Sequence, residues 1–109
     1  MKDMTLREIC TAAGVSRRAV QGYEKAGLVS ASGKSERGYL LYDVDAQTRI
    51  KRIKFFQQLG FTIKEIKEII DAPNGILKAV LEDRVERLKE EKLCIEYLIN
   101  KTYEQIENL

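Results

Sequence analysis

Apolar residues recur at intervals of three and four in several separate stretches of the chain, and most of these stretches open on a residue suited to capping a helix. Leu6, Ile9, Cys10 and Ala13 share one face of a first helix. Thr5, followed by Glu8 three residues on, is a capping box that starts this helix at Leu6, and Gly14 supplies the residue that tolerates positive φ where it ends. The chain turns at Gly14-Val15. Ser16 is placed as the N-cap of a second helix with Arg17 and Arg18 at its entrance, and Ala26-Gly27 closes it. Two short helices joined by a tight turn make a helix-turn-helix. In that motif the second helix enters the major groove of DNA with its N-terminal residues toward base edges and phosphates.

Beyond Gly27 the pattern changes. Leu28-Val29, a polar Gly/Ser-rich stretch over residues 30–38 and the run Tyr39-Leu40-Leu41-Tyr42 predict a short two-stranded hairpin. Directly after a helix-turn-helix such a hairpin is a wing, and Lys34 and Arg37 lie near its tip, within reach of a phosphate backbone or minor groove. Asp43 or Asp45 begins a third helix that runs to Leu59 and stops at Gly60. Ile50, Ile53, Phe56 and Leu59 fall on one of its faces with Phe55 beside them, while Arg49, Lys51, Arg52 and Lys54 fall opposite. Thr62 with Glu65 is a second capping box, opening a short helix that turns Ile63, Ile66, Ile69 and Ile70 inward.

Asp71-Ala72-Pro73-Asn74-Gly75 contains the only proline and is the clearest break in the chain. From Ile76 to Leu109 nothing interrupts a helix. Leu81, Val85, Leu88, Lys92, Ile95, Ile99, Thr102, Ile106 and Leu109 follow the 4-3-4-3 spacing of a coiled-coil seam, with Lys92 and Thr102 as its polar members. At about 1.5 Å per residue this helix is a rod of roughly 50 Å, too long to bury its stripe on a small domain. A second copy of the same helix is the simplest partner. The expected fold is therefore mostly α: a winged helix-turn-helix DNA-binding domain over residues 1–72, then a long C-terminal coiled-coil dimerisation helix over residues 73–109. No effector domain is expected.

Charge adds a direction to this layout. The net charge is only +2, yet residues 1–60 hold eleven Lys/Arg against six Asp/Glu and residues 61–109 hold eight against eleven. The basic part is the part with the helix-turn-helix, as expected if one end meets a polyanion and the other meets protein. Cys10 and Cys94 are far apart and there is no histidine, so neither a metal site nor a disulfide framework is expected. Without paired carboxylates in an evident pocket, a nucleophile–base pattern or a phosphate-binding glycine loop, the chain is not expected to be an enzyme or to take a cofactor. No apolar run reaches membrane-spanning length and no signal peptide precedes Met4, so a cytoplasmic location is expected.

Four blocks taken together resemble the MerR (mercury-resistance regulator) family of bacterial transcription factors. They are Met4-Thr5-Leu6 with Ala13-Gly14-Val15-Ser16; Tyr23-Glu24-Lys25-Ala26-Gly27-Leu28-Val29; Gly38-Tyr39-Leu40-Leu41-Tyr42; and Leu59-Gly60-Phe61-Thr62-Ile63-Lys64-Glu65-Ile66. The resemblance implies an antiparallel coiled-coil homodimer that binds a near-palindromic promoter operator and distorts the DNA so that RNA polymerase can engage it. Residue by residue it implies DNA contacts from Arg17 and Arg18 at the start of the recognition helix, from Tyr23, from Lys34 and Tyr39 in the wing, and from Lys54 on the third helix. Ser16, Gln21 and Arg37 complete the candidate DNA-binding set. Leu81, Val85, Leu88, Lys92, Ile95, Ile99, Thr102 and Ile106 are the candidate dimerisation set.

The chain departs from the family pattern at Gln21-Gly22-Tyr23, where Arg-aromatic-Tyr is usual, and at Gly38-Tyr39-Leu40, where Gly-Tyr-Arg is usual. Two phosphate-binding arginines are thus missing, which flattens the salt dependence of binding by about 0.9 in slope per lost contact. Gln21 is suited instead to the N6/N7 edge of an adenine. Relatives that sense metals or drugs carry cysteines or a ligand domain after the dimerisation helix, and neither is expected here. Two other functions share this architecture: a phage or recombination accessory protein that bends DNA, and a modulator that forms heterodimers with a full-length relative.

Overall fold

The computed structural model describes residues 2–109 and divides into two compact units, one running up to Asp71 and one from Ala72 to Leu109. The first unit contains β1 (Met4–Thr5), α1 (Leu6–Ala13), α2 (Arg17–Lys25), β2 (Gly33–Lys34), β3 (Leu40–Tyr42), α3 (Val44–Gln58) and α4 (Ile63–Ile69). The second consists of α5 (Asn74–Glu107). Among the described residues no helix is long and apolar enough to cross a membrane.

Both capping boxes form as the sequence predicts. Thr5 Oγ1 accepts from Glu8 N at 3.2 Å while Glu8 Oε1 accepts from Thr5 N at 3.0 Å, and Thr62 with Glu65 repeats the exchange at 3.2 and 2.9 Å. Asp43 is the N-cap of α3, accepting from Ala46 N at 2.9 Å. The core of this unit is built from the predicted faces: Ile9 and Val20 of the first two helices, Ile50, Ile53 and Phe56 of α3, and Ile66, Ile69 and Ile70 of α4 and its cap. Phe56 meets Phe61 edge to face with centroids 6.3 Å apart. Phe55, placed beside the apolar face by its neighbours in sequence, instead lies outside the core and is 52% exposed.

The wing differs from the expected hairpin in two respects. Its first strand is Gly33–Lys34, not Leu28-Val29, which are buried but irregular. The β-prone character of Leu28 and Val29 reflects a place in the core, where any compact apolar side chain serves. The sheet also has a third strand that two residues could not announce: Met4–Thr5 pairs antiparallel with β3, giving the order β1-β3-β2. Gln47 secures this arrangement. Its buried amide donates to Lys2 O at 2.9 Å and to Tyr42 O at 2.8 Å, satisfying carbonyls on both sides of the strand pair.

The basic side of α3 is also employed within the fold. Arg49 grips Asp71 through both terminal nitrogens at 2.7 and 2.8 Å, and its Nε donates to Leu28 O. The paired guanidinium holds the Asp71 carboxyl below its ordinary range. Arg52 stacks over Phe56 at 5.5 Å and donates to Ile70 O.

In the second unit α5 begins at Asn74, two residues before the predicted start, with Pro73 at the N-cap position. No residue of this helix is buried. Leu81 and Leu88 are half-buried, whereas Val85, Ile95, Ile99 and Ile106 are exposed, as are Lys92 and Thr102.

Candidate nucleic-acid interface

The turn between α1 and α2 is fixed from both sides. Gly14 adopts φ 66° and ψ 37°, a left-handed conformation that frees the chain to reverse, and Val15 N bonds back to Cys10 O. Ser16 then caps α2, its Oγ accepting from Ala19 N at 3.0 Å. The Ser16 hydroxyl, a candidate contact in the sequence reading, is thereby committed to the cap.

The first turn of α2 carries two arginines and no acidic residue. Cations at this end oppose the helix dipole and the unpaired N–H groups there, a locally unfavourable choice. Arg17 and Arg18 are both exposed, and neither makes a hydrogen bond or salt bridge among the described residues. With Gln21 and Lys25 they form the open face of α2, while Val20 and Tyr23 point inward. The carboxylate of Glu24 is drawn aside by Tyr42, whose hydroxyl donates to it at 3.0 Å. Burial and this acidic neighbour push the Tyr42 hydroxyl well above the usual phenol range.

The wing tip is closed by Ser35. Its N donates to Tyr39 O, its carbonyl accepts from Gly38 N, and its Oγ accepts from Tyr39 N at 3.1 Å. Lys34 lies at the end of β2, Arg37 sits in the exposed loop and Tyr39 is 60% exposed. The wing and the helix-turn-helix meet at a cleft lined by Thr5, Leu6, Arg7, Arg17, Gly38, Tyr39 and Leu40. Arg17 and Tyr39 are therefore brought together from separate elements. Arg7 joins them unforeseen: it sits on α1, one helix before Arg17, and only the folded chain places it beside the wing.

Two candidates are found elsewhere. Tyr23 is 2% exposed and its hydroxyl donates to Gln57 Oε1 at 2.5 Å, so it is a core residue tying α2 to α3. Lys54 donates to Gly14 O at 3.1 Å and closes the C-terminal end of α1. Both hydrogen bonds have one cause: α3 passes behind the helix-turn-helix and meets the polar groups that face it. Among the described residues no cluster of three His, Cys, Asp or Glu is arranged to hold a metal ion.

Comparison with known proteins matches residues 4–73 to the family described as MerR HTH family regulatory protein. The HTH-type transcriptional activator mta of Bacillus subtilis is 33% identical over 94 residues, which are 86% of this chain and 37% of that protein. The chain thus spans little more than a third of that curated relative's length. The crystal structure of the N-terminal part of the Bacillus subtilis multidrug transporter activator, MtaN, superposes with a TM-score of 0.73 at 30% identity. The match covers 94% of this chain and 97% of that one. HiNmlR, a MerR family regulator lacking the sensor domain and crystallised on promoter DNA, shares the fold with a TM-score of 0.76 at 15% identity, covering 96% of this chain and 88% of that one.

Proposed function

The chain belongs to the MerR family of helix-turn-helix regulatory proteins, and we propose that it is a transcriptional regulator that binds a near-palindromic promoter operator as a homodimer. In this reading α2 lies in the major groove, and Arg17, Arg18 and Gln21 face bases and phosphates. Arg7 and Tyr39 bracket the backbone from the cleft, and Lys34 and Arg37 extend the contact through the wing. The observation that carries the reading is the pair of exposed, unpartnered arginines in the first turn of α2. A fold tolerates cations at the positive end of a helix where an external anion completes the site.

Two DNA-binding units held by α5 read two half-sites, and distortion of the intervening DNA controls engagement of RNA polymerase, the further partner on the promoter. The protein acts where the chromosome lies, in the cytoplasm. Footprinting of the DNA upstream of its own gene, at two salt concentrations, is expected to reveal one symmetric protected site. The Arg18→Ala variant is expected to bind that site about tenfold or more weakly, as for loss of one base or phosphate contact per subunit. Unchanged specific binding by this variant would remove α2 from the interface.

A further inference from the structure

The seam of α5 carries enough chemistry to say how two copies of it lie together. It alternates two classes of position: Val85, Lys92, Ile99 and Ile106 in one, and Leu88, Ile95 and Thr102 in the other. In a parallel pair each seam residue meets its own copy, and edge residues meet five positions apart. Lys92 then opposes the partner's Lys92, Arg84 the partner's Lys89, and Glu91 the partner's Glu96. All three meetings are between like charges.

In an antiparallel pair, residues of one class meet residues of the other. One register alone joins the two polar seam residues, setting Lys92 against the partner's Thr102 and Thr102 against the partner's Lys92. In it Ile95 meets the partner's Ile99, and Leu88 meets the partner's Ile106, so the layers between and outside are apolar. The two-fold axis crosses the seam at the level of Tyr97. Exposed apolar residues of α5 gather on the seam side there: Ile95, Leu98, Ile99 and Tyr103 line one groove with Thr102.

Competing registers place these groups badly. A shift of one heptad in one direction sets Lys92 against the partner's Ile95 and Thr102 against the partner's Val85, burying an ammonium and a hydroxyl in apolar layers. A shift of three heptads in that direction matches Arg84 with the partner's Glu91, but it puts Lys92 on the partner's Leu81 and leaves Ile99 and Ile106 uncovered. The favoured register brings together only the two copies of Glu96, at an edge where solvent screens them.

The hydrogen bonding already present in α5 fits this pairing. Thr102 Oγ1 donates its proton to Leu98 O at 2.7 Å, so the oxygen is left as an acceptor. Lys89 and Lys101 are paired with Glu86 and Glu104, whereas Lys92 makes no hydrogen bond or ion pair among the described residues. We propose that, within the antiparallel pair, Lys92 and Thr102 are the specificity pair that fixes α5 on a second copy of this chain in this one register. Lys92 donates to the partner's Thr102 hydroxyl in two symmetric layers. A related helix with an apolar residue in place of Thr102 leaves the lysine unsatisfied and is rejected.

This inference rests on the homodimer proposed above, and its test separates the two. In the full chain with Cys10→Ala and Cys94→Ala, spin labels are placed at Glu90→Cys or at Glu104→Cys, both on the side of α5 away from the seam. Each position lies seven residues from Tyr97, so a rise of about 1.5 Å per residue separates each label from its copy by about 21 Å along the axis. Pulsed electron paramagnetic resonance is expected to give two equal, long distances. Equal short distances mean a parallel pair. Unequal ones, with axial offsets of about 10 and 31 Å for the one-heptad shift described above, mean another register. Either result overturns the pairing.

Independently, Thr102→Lys is expected to weaken dimerisation about tenfold or more in sedimentation equilibrium, and adding Lys92→Thr to restore it to within about threefold. Additive losses overturn the pairing. A wild-type chain that stays monomeric overturns the homodimer itself.

Discussion

Ile53 in α3 and Ile99 in α5 hold equivalent places on the apolar stripes of their helices, yet Ile53 is fully buried and Ile99 is 48% exposed. The periodicity that marks them is the same. The difference is what covers the stripe. In the first unit α3 lies among short elements that each turn back within a few residues, so α1, α2, α4 and the small sheet surround it. In the second unit no turn follows for 34 residues, and the stripe on α5 is left without a lid among the described residues. Amphipathic periodicity says that a face will be buried, and only the spacing of turns says whether the same chain can bury it.

The largest test of this contrast is a pair of truncations. Ile53→Ala is expected to lower the unfolding free energy by about 2–5 kcal/mol, by the same amount at every protein concentration. If the proposed dimer forms, Ile99→Ala is expected to act through it: the variant lowers the melting temperature at high protein concentration and leaves it unchanged where the chain is monomeric. Circular dichroism melts of both variants across a wide range of concentration make the check. Concentration-independent destabilisation by Ile99→Ala would mean that α5 is covered by its own chain.

A smaller effect sharpens the comparison within the first unit. Gly22 sits inside α2 on its open face, without positive φ, and a Cβ there meets nothing within 4 Å. Gly22→Ala is expected to stabilise the protein by about 0.5–1 kcal/mol in urea unfolding, by the difference in helix propensity. No gain would show that the recognition helix is held open by something other than its sequence.

The smallest effect lies at the end of α4. Arg49 holds the Asp71 carboxyl below its ordinary range, so the ion pair contributes fully above the unfolded carboxylate pKa of about 3.9 and is lost as pH falls through the lower folded value. Because the Asp71 side chain is 70% exposed, solvent limits this contribution to about 1 kcal/mol at most. Urea unfolding of wild type and Arg49→Ala is expected to differ in its pH dependence only within that acidic window.

Legibility in the sequence followed the range of the interactions. Capping boxes, the glycine at the end of α1 and the unbroken helix α5 rest on residues three or four apart, and each is legible in the sequence. The internal hydrogen bonds of Tyr23, Lys54 and Arg49 are not legible in the sequence because their partners, Gln57, Gly14, Leu28 and Asp71, are distant along the chain. Arg7 has no signal of its own for the converse reason, since the wing that gives it a setting is reached only beyond α2. Strands of two residues, such as Met4–Thr5, have no periodicity to read.

The position of β3 between β1 and β2 also divides the sheet into a local and a distant pairing. β2 and β3 are neighbours along the chain, so their hairpin can close within about 1–10 μs, as short hairpins do. Pairing Met4 with Tyr42 closes a much longer loop, across α1 and α2, and so carries the larger closure entropy of the two. The attachment of the wing to the start of α1 is thus the costlier half of the sheet.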